Sequence, residues 1–460
     1  RPMTEPFTVL IMAAGRGTRM RSETPKVLHR VCGKPMVEWV VDAAREGGAE
    51  TVVCVVRPGD GVAQGLPDGV EVVEQREGEG TGAAVLAARE AVPAGPVVVL
   101  SGDHPLVTAD QIAGVVEAHR DARTAGATIL TTDRLDPAGY GRIVRAENGE
   151  VERIVETKYT EGVPQAELAI REINLGTYAF DAPRLFEALD EVGLTDGERF
   201  LTDVFPILKG DGASIVAHAT DDAAVALGVN DRAGLMRAEE LAQRRILEAH
   251  ARAGVTFVHP GTVRVEAAVT IGADTTIALG VSLLGRTRVG EDCEIGPHTT
   301  LSDARVGDRV LLRQSYVVEA QVHDGATIGP FAYLRPGTAI GEGAKVGAFV
   351  EIKNSDIGAG AKVPHLSYIG DADVGEDSNL GASTITANYD GRQKHRTKLG
   401  KSVKTSVHTS LVAPVTIGDR AYTGAGSVIT DDVPEGGLGI ARPKQRNVEG
   451  YADRVEEDGS

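Results

Sequence analysis

The chain is poor in cysteine. Cys32, Cys54 and Cys293 are the three thiols among 460 residues. They are odd in number, far apart and in no Cys/His metal spacing. A disulfide scaffold and a zinc module are therefore set aside, and reduced thiols in a cytoplasmic protein are expected. Long apolar runs are missing too. None approaches the ~18 residues of a membrane-crossing helix, and no secretory-signal pattern opens the chain, so no membrane partner is expected. Positive charge is in deficit: 48 Lys and Arg stand against 66 Asp and Glu, for a net charge of −18. Nucleic-acid binding needs a basic face, so no nucleic-acid partner is expected. Anionic substrates would need cations concentrated locally. Aromatic residues make up only 4% of the chain, which leaves few large side chains for a conventional core.

What is abundant is glycine, at 56 residues. Many tight turns with few aromatics suggest a repeat architecture in part of the chain. A chain of this length predicts two or three domains. Residues 7–230 alternate apolar strands (7–12, 51–56 and 96–100) with amphipathic helical stretches such as 36–45 and 81–90. That alternation predicts an α/β, Rossmann-like domain with a mostly parallel sheet covered by helices on both faces. Ligands bind such sheets at the carboxyl ends of strands, where Gly15 and Asp103 fall. Residues 231–254 predict one linker helix. Leu235, Ala238, Ala242, Ile246, Ala249 and Ala253 make an apolar stripe, and Gly254 stops it.

From 255 to 448 the period is six. Val265, Ile271, Ile277, Leu283, Val289, Ile295 and Leu301 are evenly spaced, and the pattern resumes at Ile328, Leu334, Ile340, Val346 and Ile352. Six fits neither a helix nor a simple strand. It fits a coil of flat faces whose aliphatic residues point inward and stack on those of the neighbouring coils, at about the ~4.8 Å strand spacing. The acidic, Gly-containing residues 449–460 predict a disordered tail.

The first strand runs into Gly15-Arg16-Gly17, a turn that can aim backbone N–H groups at an anion, with Arg19 and Lys26 close by. A G-x-G alone is weak, and neither the dinucleotide fingerprint nor a P-loop is completed. The whole run from Met12 to Lys26, MAAGRGTRMRSETPK, resembles the signature of sugar-1-phosphate nucleotidyltransferases. Gln75 with Gly80-Thr81-Gly82 resembles the family's uracil-recognising stretch. Gly102-Asp103-His104-Pro105-Leu106 resembles its metal loop, and Tyr140-Gly141-Arg142-Ile143, Glu156 and Asn174 resemble its sugar-binding positions. The resemblance implies Mg2+ held by Asp103 and Asn230. It implies UTP and UDP-sugar binding by Met12, Ala13, Ala14, Gly15, Arg19, Lys26, Gln75, Gly80, Thr81, Ser101, Gly102, Asp103, Gly141, Glu156, Asn174 and Asn230. His104 occupies a variable slot and receives no role.

The six-residue period is interrupted by a polar cluster: Arg335, Lys353, His365, Tyr368, Asn379, and Asn388-Tyr389-Asp390-Gly391 with Lys394. Singly each is an ordinary surface residue. Together they suit acetyl transfer to an amine, which needs a base near neutral pH and cations for a phosphate. These segments resemble the acetyltransferase domain of the bifunctional N-acetylglucosamine-1-phosphate uridyltransferase/glucosamine-1-phosphate acetyltransferase family, and both domains stand in the family order. The resemblance implies a left-handed parallel β-helix and a homotrimer. It implies His365 as general base, and Arg335, Lys353, Tyr368 and Asn379 as glucosamine-phosphate ligands. Ala382, Asn388, Tyr389, Val407, Ala425 and Arg442 fall at acetyl-CoA positions. It also implies the order of reactions. Glucosamine-1-phosphate is acetylated from acetyl-CoA, and N-acetylglucosamine-1-phosphate is then coupled to UTP.

Two other readings stay open on sequence: a nucleotidyltransferase whose coil serves only assembly, and a non-catalytic solenoid. Retention of Arg19, Lys26, Asp103 and Asn230 together speaks against the second. One departure from the family is Val407, which stands where a serine usually contacts the acetyl donor. Val407→Ser is expected to strengthen acetyl-CoA binding by no more than the ~1 kcal/mol of one neutral hydrogen bond. An unchanged acetyl-CoA KM would show that the missing hydroxyl is of no consequence.

Overall fold

In a computed structural model of the chain, residues 5–122, 124–155 and 163–458 are described. An uncharged run of mainly branched residues makes β1 (Thr8–Met12) a covered strand. It lies parallel to β2 (Thr51–Val56), which pairs onward with β3 (Glu71–Glu74), and on its other side to β4 (Pro96–Ser101). Beyond these come β5 (Ala125–Thr132), the hairpin β6 (Arg142–Arg145) and β7 (Val151–Val155), β8 (Ile173–Asp181) and β9 (Ser214–Ala219). The sheet order is β9-β5-β8-β4-β1-β2-β3, with β8 antiparallel to both β4 and β5. Side chains alternate across each strand. Val9 and Ile11 enter a core with α1 (Met36–Glu46) and α3 (Ala109–Asp121), through Val40, Val41, Ile112 and Val115. Leu10 enters the opposite core with α2 (Thr81–Ala87) and α4 (Ala182–Glu191), through Val85, Leu185 and Leu189. The expected two-faced covering is therefore present. The helix expected over 81–90 stops at Ala87, with looser turns carrying the chain on to Val92.

The linker is α5 (Arg232–Arg252), and Gly254 follows it at φ +99°. Ala238 and Ala242 of the expected stripe are buried, but Ala249 and Ala253 are exposed and Leu247 is buried instead. The chain divides into two compact units inside this helix, at Arg244/Arg245. No single stripe therefore needs to run its whole length. The tail also departs from expectation. Tyr451–Asp458 form a helix, α6, which Ala452, Arg454 and Glu456 favour by propensity and Asp453 by its place in the first turn.

The second unit is a parallel β-helix. Short strands stack into three sheets of seven, ten and nine strands, each strand pairing with its counterpart one coil on. The period-six residues form its inward ladders. One runs Ile277, Ile295, Leu312, Ile328, Val346, Val363, and another runs Leu283, Leu301, Val317, Leu334, Ile352, Ile369. The break in the period after Leu301 is a shortening of the coils. Ile277 and Ile295 are eighteen residues apart, Ile295 and Leu312 seventeen, Leu312 and Ile328 sixteen. Residues are dropped at corners while the ladder continues. Farther along, Val374 pairs with Leu399, twenty-five residues on. The extra length is the loop carrying Asn388 to His395.

Corners are turned by left-handed residues. One column contains Asp303, Glu319, Gly337, Asn354 and Asp371, with φ between +45° and +78°. Glycines after the inward aliphatics serve close packing instead. A Cβ on Gly341 would lie 2.6 Å from the Ala359 backbone nitrogen of the next coil. Gly341→Ala is therefore expected to force the coils apart at a cost of about 1–3 kcal/mol. Thermal denaturation should show this at roughly 2–4 °C per kcal/mol for a unit of this size. An unchanged Tm would mean that the coils do not pack this closely.

Candidate functional site

In the first unit, the loops after β1 and β4 meet at the carboxyl edge of the sheet. Gly102 N–H donates to the Met12 carbonyl, 2.9 Å, so the two strand ends are fastened together. Gly17 sits at φ +59°, and a Cβ there would lie 2.7 Å from Lys26 Cβ. The glycine loop can thus fold back against Lys26. Lys26 donates to Asp103 Oδ2 and approaches Asn230 Oδ1 at 3.4 Å, while Arg19 Nη2 donates to the same Asn230 oxygen at 3.0 Å. Ser101 Oγ donates to Asp103 Oδ1 at 2.6 Å. Val229 N–H donates to the Asp103 carbonyl at 2.9 Å and brings Asn230 in from far along the chain. Burial alone would raise the Asp103 carboxyl. The His104 and Lys26 charges and the hydrogen bonds from Lys26 and Ser101 outweigh burial and hold it below the usual carboxylate range. A buried anion that gathers cations is the expected consequence.

A cavity of about 290 Å³ is lined by Met12, Ala13, Ala14, Gly15, Lys26, Gln75, Gly80, Thr81, Ser101 and Asp103. This brings together the expected nucleotide residues. Arg19, Gly102 and Asn230 adjoin it through the contacts above. Gln75 spends its amide N–H on the Gly78 carbonyl, 3.0 Å. Gly141, Asn174 and Asn230 line a neighbouring 410 Å³ cleft, where Asn174 Nδ2 donates to Tyr178 Oη at 2.7 Å. Glu156 lies outside the described residues.

Five features here have no assignment from the sequence. Arg16, Arg57 and Glu79 also line the 290 Å³ cavity. Glu79 pairs with Arg16 at 2.9 Å and Arg57 at 3.5 Å. A third cavity, of 590 Å³, adds Tyr178, Thr195, Phe200, Leu201, Thr202 and Asp203. His104, given no role, is on the wall of both outer cavities, and burial lowers its pKa. Arg16 was legible from its place in the glycine loop. The segment around Phe200 carried no motif, and only the fold brings it near: Thr81 Oγ1 accepts from Leu201 N–H at 2.9 Å.

In the second unit, Arg335, Lys353 and Tyr368 project from neighbouring coils of the ten-stranded sheet. Arg335 pairs with Glu351 at 2.7 Å. Lys353 stands 3.7 Å from Asp371, and Asn388 Nδ2 reaches both Asp371, at 2.5 Å, and Tyr368 Oη, at 3.5 Å. The 388–395 loop is pinned by Asp390, which accepts from Arg392 and Gln393 N–H and pairs with His395 at 2.7 Å. Those backbone hydrogen bonds hold the Asp390 carboxyl down at about 2. The loop sets Lys394 beside Lys353, whose side-chain hydrogen bond and charge lower the Lys394 pKa.

His365 ends the strand Lys362–His365 on the adjoining sheet and is exposed, and Asn379 follows one coil on, bridged to Lys362. Ala382, Val407 and Ala425 form a column on three successive coils. His408 N–H donates to the Ala382 carbonyl at 2.8 Å, and Gly426 N–H donates to that of Val407 at 2.9 Å. Tyr389 and Arg442 are exposed, on the loop and beyond the last stacked strands respectively. The polar cluster and the alanine column are thus ordered by the coil register, on two faces of it.

Comparison with known proteins adds two domain matches. Residues 9–201 match the MobA-like NTP transferase domain, and residues 319–354 match the bacterial transferase hexapeptide (six repeats). The chain is 47% identical over 459 aligned residues to the bifunctional protein GlmU of Mycobacterium tuberculosis, covering 97% of this chain and 92% of that one. It is also 47% identical to GlmU of Mycolicibacterium gilvum, covering 97% and 91%. With both domains in place across nearly the whole chain, it belongs to the family of bifunctional GlmU proteins.

Proposed function

We propose that the two sites described here divide the work of one bifunctional transferase. The chain acetylates glucosamine-1-phosphate and transfers UMP from UTP to N-acetylglucosamine-1-phosphate. The observation that carries the assignment of the first site is the convergence of Asp103 and Asn230 on the Lys26 ammonium beside the glycine-loop cavity. One carboxylate and one amide oxygen within reach of a single cation are the hard donors that Mg2+ accepts, and it keeps its remaining positions for water and phosphate. Among the described residues no His/Cys/Asp/Glu cage competes with this arrangement. Asp103 and Asn230 would hold the ion, which supplies neutralisation of the phosphate charge when bound.

The chain's own part is positioning. The loop of Gly15 offers backbone N–H groups to the triphosphate, and Arg19 and Lys26 add positive charge. Gly80 and Thr81 border the base and Gly141 and Asn174 the sugar. The sugar phosphate oxygen then attacks the α-phosphorus and pyrophosphate leaves.

In the second site, Arg335, Lys353 and Tyr368, with Asn379 on the adjoining face, receive glucosamine-1-phosphate. Ala382, Val407 and Ala425 offer a small-residue column for acetyl-CoA, edged by Asn388, Tyr389 and Arg442. The amine nitrogen attacks the thioester carbonyl. A C–N bond forms, the C–S bond breaks, the amine proton passes to His365, and coenzyme A leaves as its thiol. A homotrimer accounts for an exposed apolar ladder: the Phe331 and Phe349 rings stack at 5.3 Å, and Leu366 follows one coil on. A cytoplasmic location agrees with three buried cysteines that form no disulfide with one another. Among the described residues no helix is long and apolar enough to cross a membrane.

His365→Ala is expected to lower acetyl-CoA-dependent thiol release by about 10²–10⁴-fold, the usual worth of a general base, and to leave pyrophosphate release intact. Chelation of Mg2+ should do the reverse. Thiol release that survives the substitution would remove His365 from the chemistry.

A further inference from the structure

The least ordinary group in the second unit is a buried carboxylate that no motif marks. Asp371 occupies a left-handed corner, φ +52°. Its backbone is fixed on both sides: its N–H donates to the Lys353 carbonyl at 3.0 Å, and its carbonyl accepts from Thr397 N–H at 3.0 Å. The aim of its side chain is therefore set by the stack. Asp303 holds the same corner in an earlier coil, is exposed, and spends Oδ1 on the Arg286 backbone N–H at 3.0 Å, a turn-closing role. Asp371 differs. Its side chain is 9% exposed, and both oxygens are taken by side chains. Asn354 Nδ2 donates to Oδ1 at 2.7 Å, and Asn388 Nδ2 donates to Oδ2 at 2.5 Å. Lys353 Nζ stands 3.7 Å from Oδ2.

A carboxylate is costly to bury unless charge and hydrogen bonds surround it. Here they do: burial would raise its pKa, but Asn354, Asn388, Lys353 and Lys394 together lower it. The anion also feels the charge of two lysines that repel each other, Lys353 and Lys394.

We propose that Asp371 is a positioning residue for acetyl transfer: its carboxylate holds the Lys353 ammonium where it meets the sugar phosphate and the Asn388 amide at the edge of the acetyl-CoA column. This rests on the assignment of Lys353 as a phosphate ligand. Asp371 does not touch substrate. It acts through its neighbours, and it keeps two lysines together before the phosphate arrives to neutralise them. Asp371→Asn preserves shape but removes the charge. Whichever way its amide turns, one of the two asparagines or Lys353 loses its acceptor.

The test uses the full chain and four proteins: wild type, Asp371→Asn, Lys353→Met and the double variant. Thiol release is measured against glucosamine-1-phosphate concentration, with pyrophosphate release and Tm as controls. Asp371→Asn should raise the KM for glucosamine-1-phosphate by on the order of tenfold or more, as loss of a hydrogen bond to a charged group does. It should change kcat by less than about threefold. In the Lys353→Met background it should cost almost nothing further, because the residue through which it acts is gone. Multiplicative losses in the double variant would overturn the proposal. So would an unchanged KM, or a fall in Tm of more than about 10 °C with kcat and KM moving together, which would make Asp371 a fold residue. Lys353→Met without effect on KM would instead refute the assignment of Lys353, whatever Asp371 does.

Discussion

Each coil of the second unit repeats the one before it, because backbone N–H groups of one coil donate to carbonyls of the next and the inward aliphatics pair in register. That register is the constraint from which the rest of the unit follows. It allows no side chain at Gly341, where the neighbouring backbone is within 2.6 Å of a Cβ. It demands left-handed corners, which Asp, Asn and Gly accept most easily. It also converts sequence distance into spatial order. Arg335, Lys353 and Tyr368 come to neighbouring rungs of one sheet, and Ala382, Val407 and Ala425 to a column on another edge. The loop that carries Asn388 and Lys394 interrupts this frame, and Asp390 pins it from within.

The first unit solves a different problem, that of collecting cations and oxygens at the edge of a strongly acidic chain. Its answer is the meeting of two strand ends. β1 delivers the glycine loop and β4 delivers Asp103, while the return of the chain at Val229 adds Asn230. Lys26 and Arg19 are thereby concentrated around two oxygens in one place. The net charge of −18 is no obstacle, since the local field at a partly buried site is set by its few nearest charges.

Much of this was legible beforehand because both units rest on periodic or contiguous signals. The alternation of strands and helices is local, and the six-residue period is visible by counting. Where counting failed, the reason was geometric. The period lapses after Leu301 because corners lose one or two residues, which leaves the inward ladder intact and the arithmetic broken. The stripe on the linker helix failed at Ala249 and Ala253 because the helix passes from one unit to the other. The tail helix at Tyr451–Asp458 follows from propensity that a reading by charge alone overlooks. Among site residues, those inside motifs could be named. Arg57 and Glu79 reach the glycine-loop cavity, and the Phe200 segment the 590 Å³ cavity, only through tertiary approach, and Asp371 is marked by burial, which a single sequence does not display.

Two successive transfers by one chain are the core of the proposed activity. The most direct measurement supplies glucosamine-1-phosphate, acetyl-CoA, UTP and Mg2+ to the purified chain alone and follows nucleotide sugar by chromatography beside thiol release. UDP-N-acetylglucosamine should accumulate after a lag, in amounts that do not exceed the thiol released, and should vanish when acetyl-CoA is left out. Nucleotide sugar formed equally well without acetyl-CoA, or thiol release with no nucleotide sugar, would contradict it.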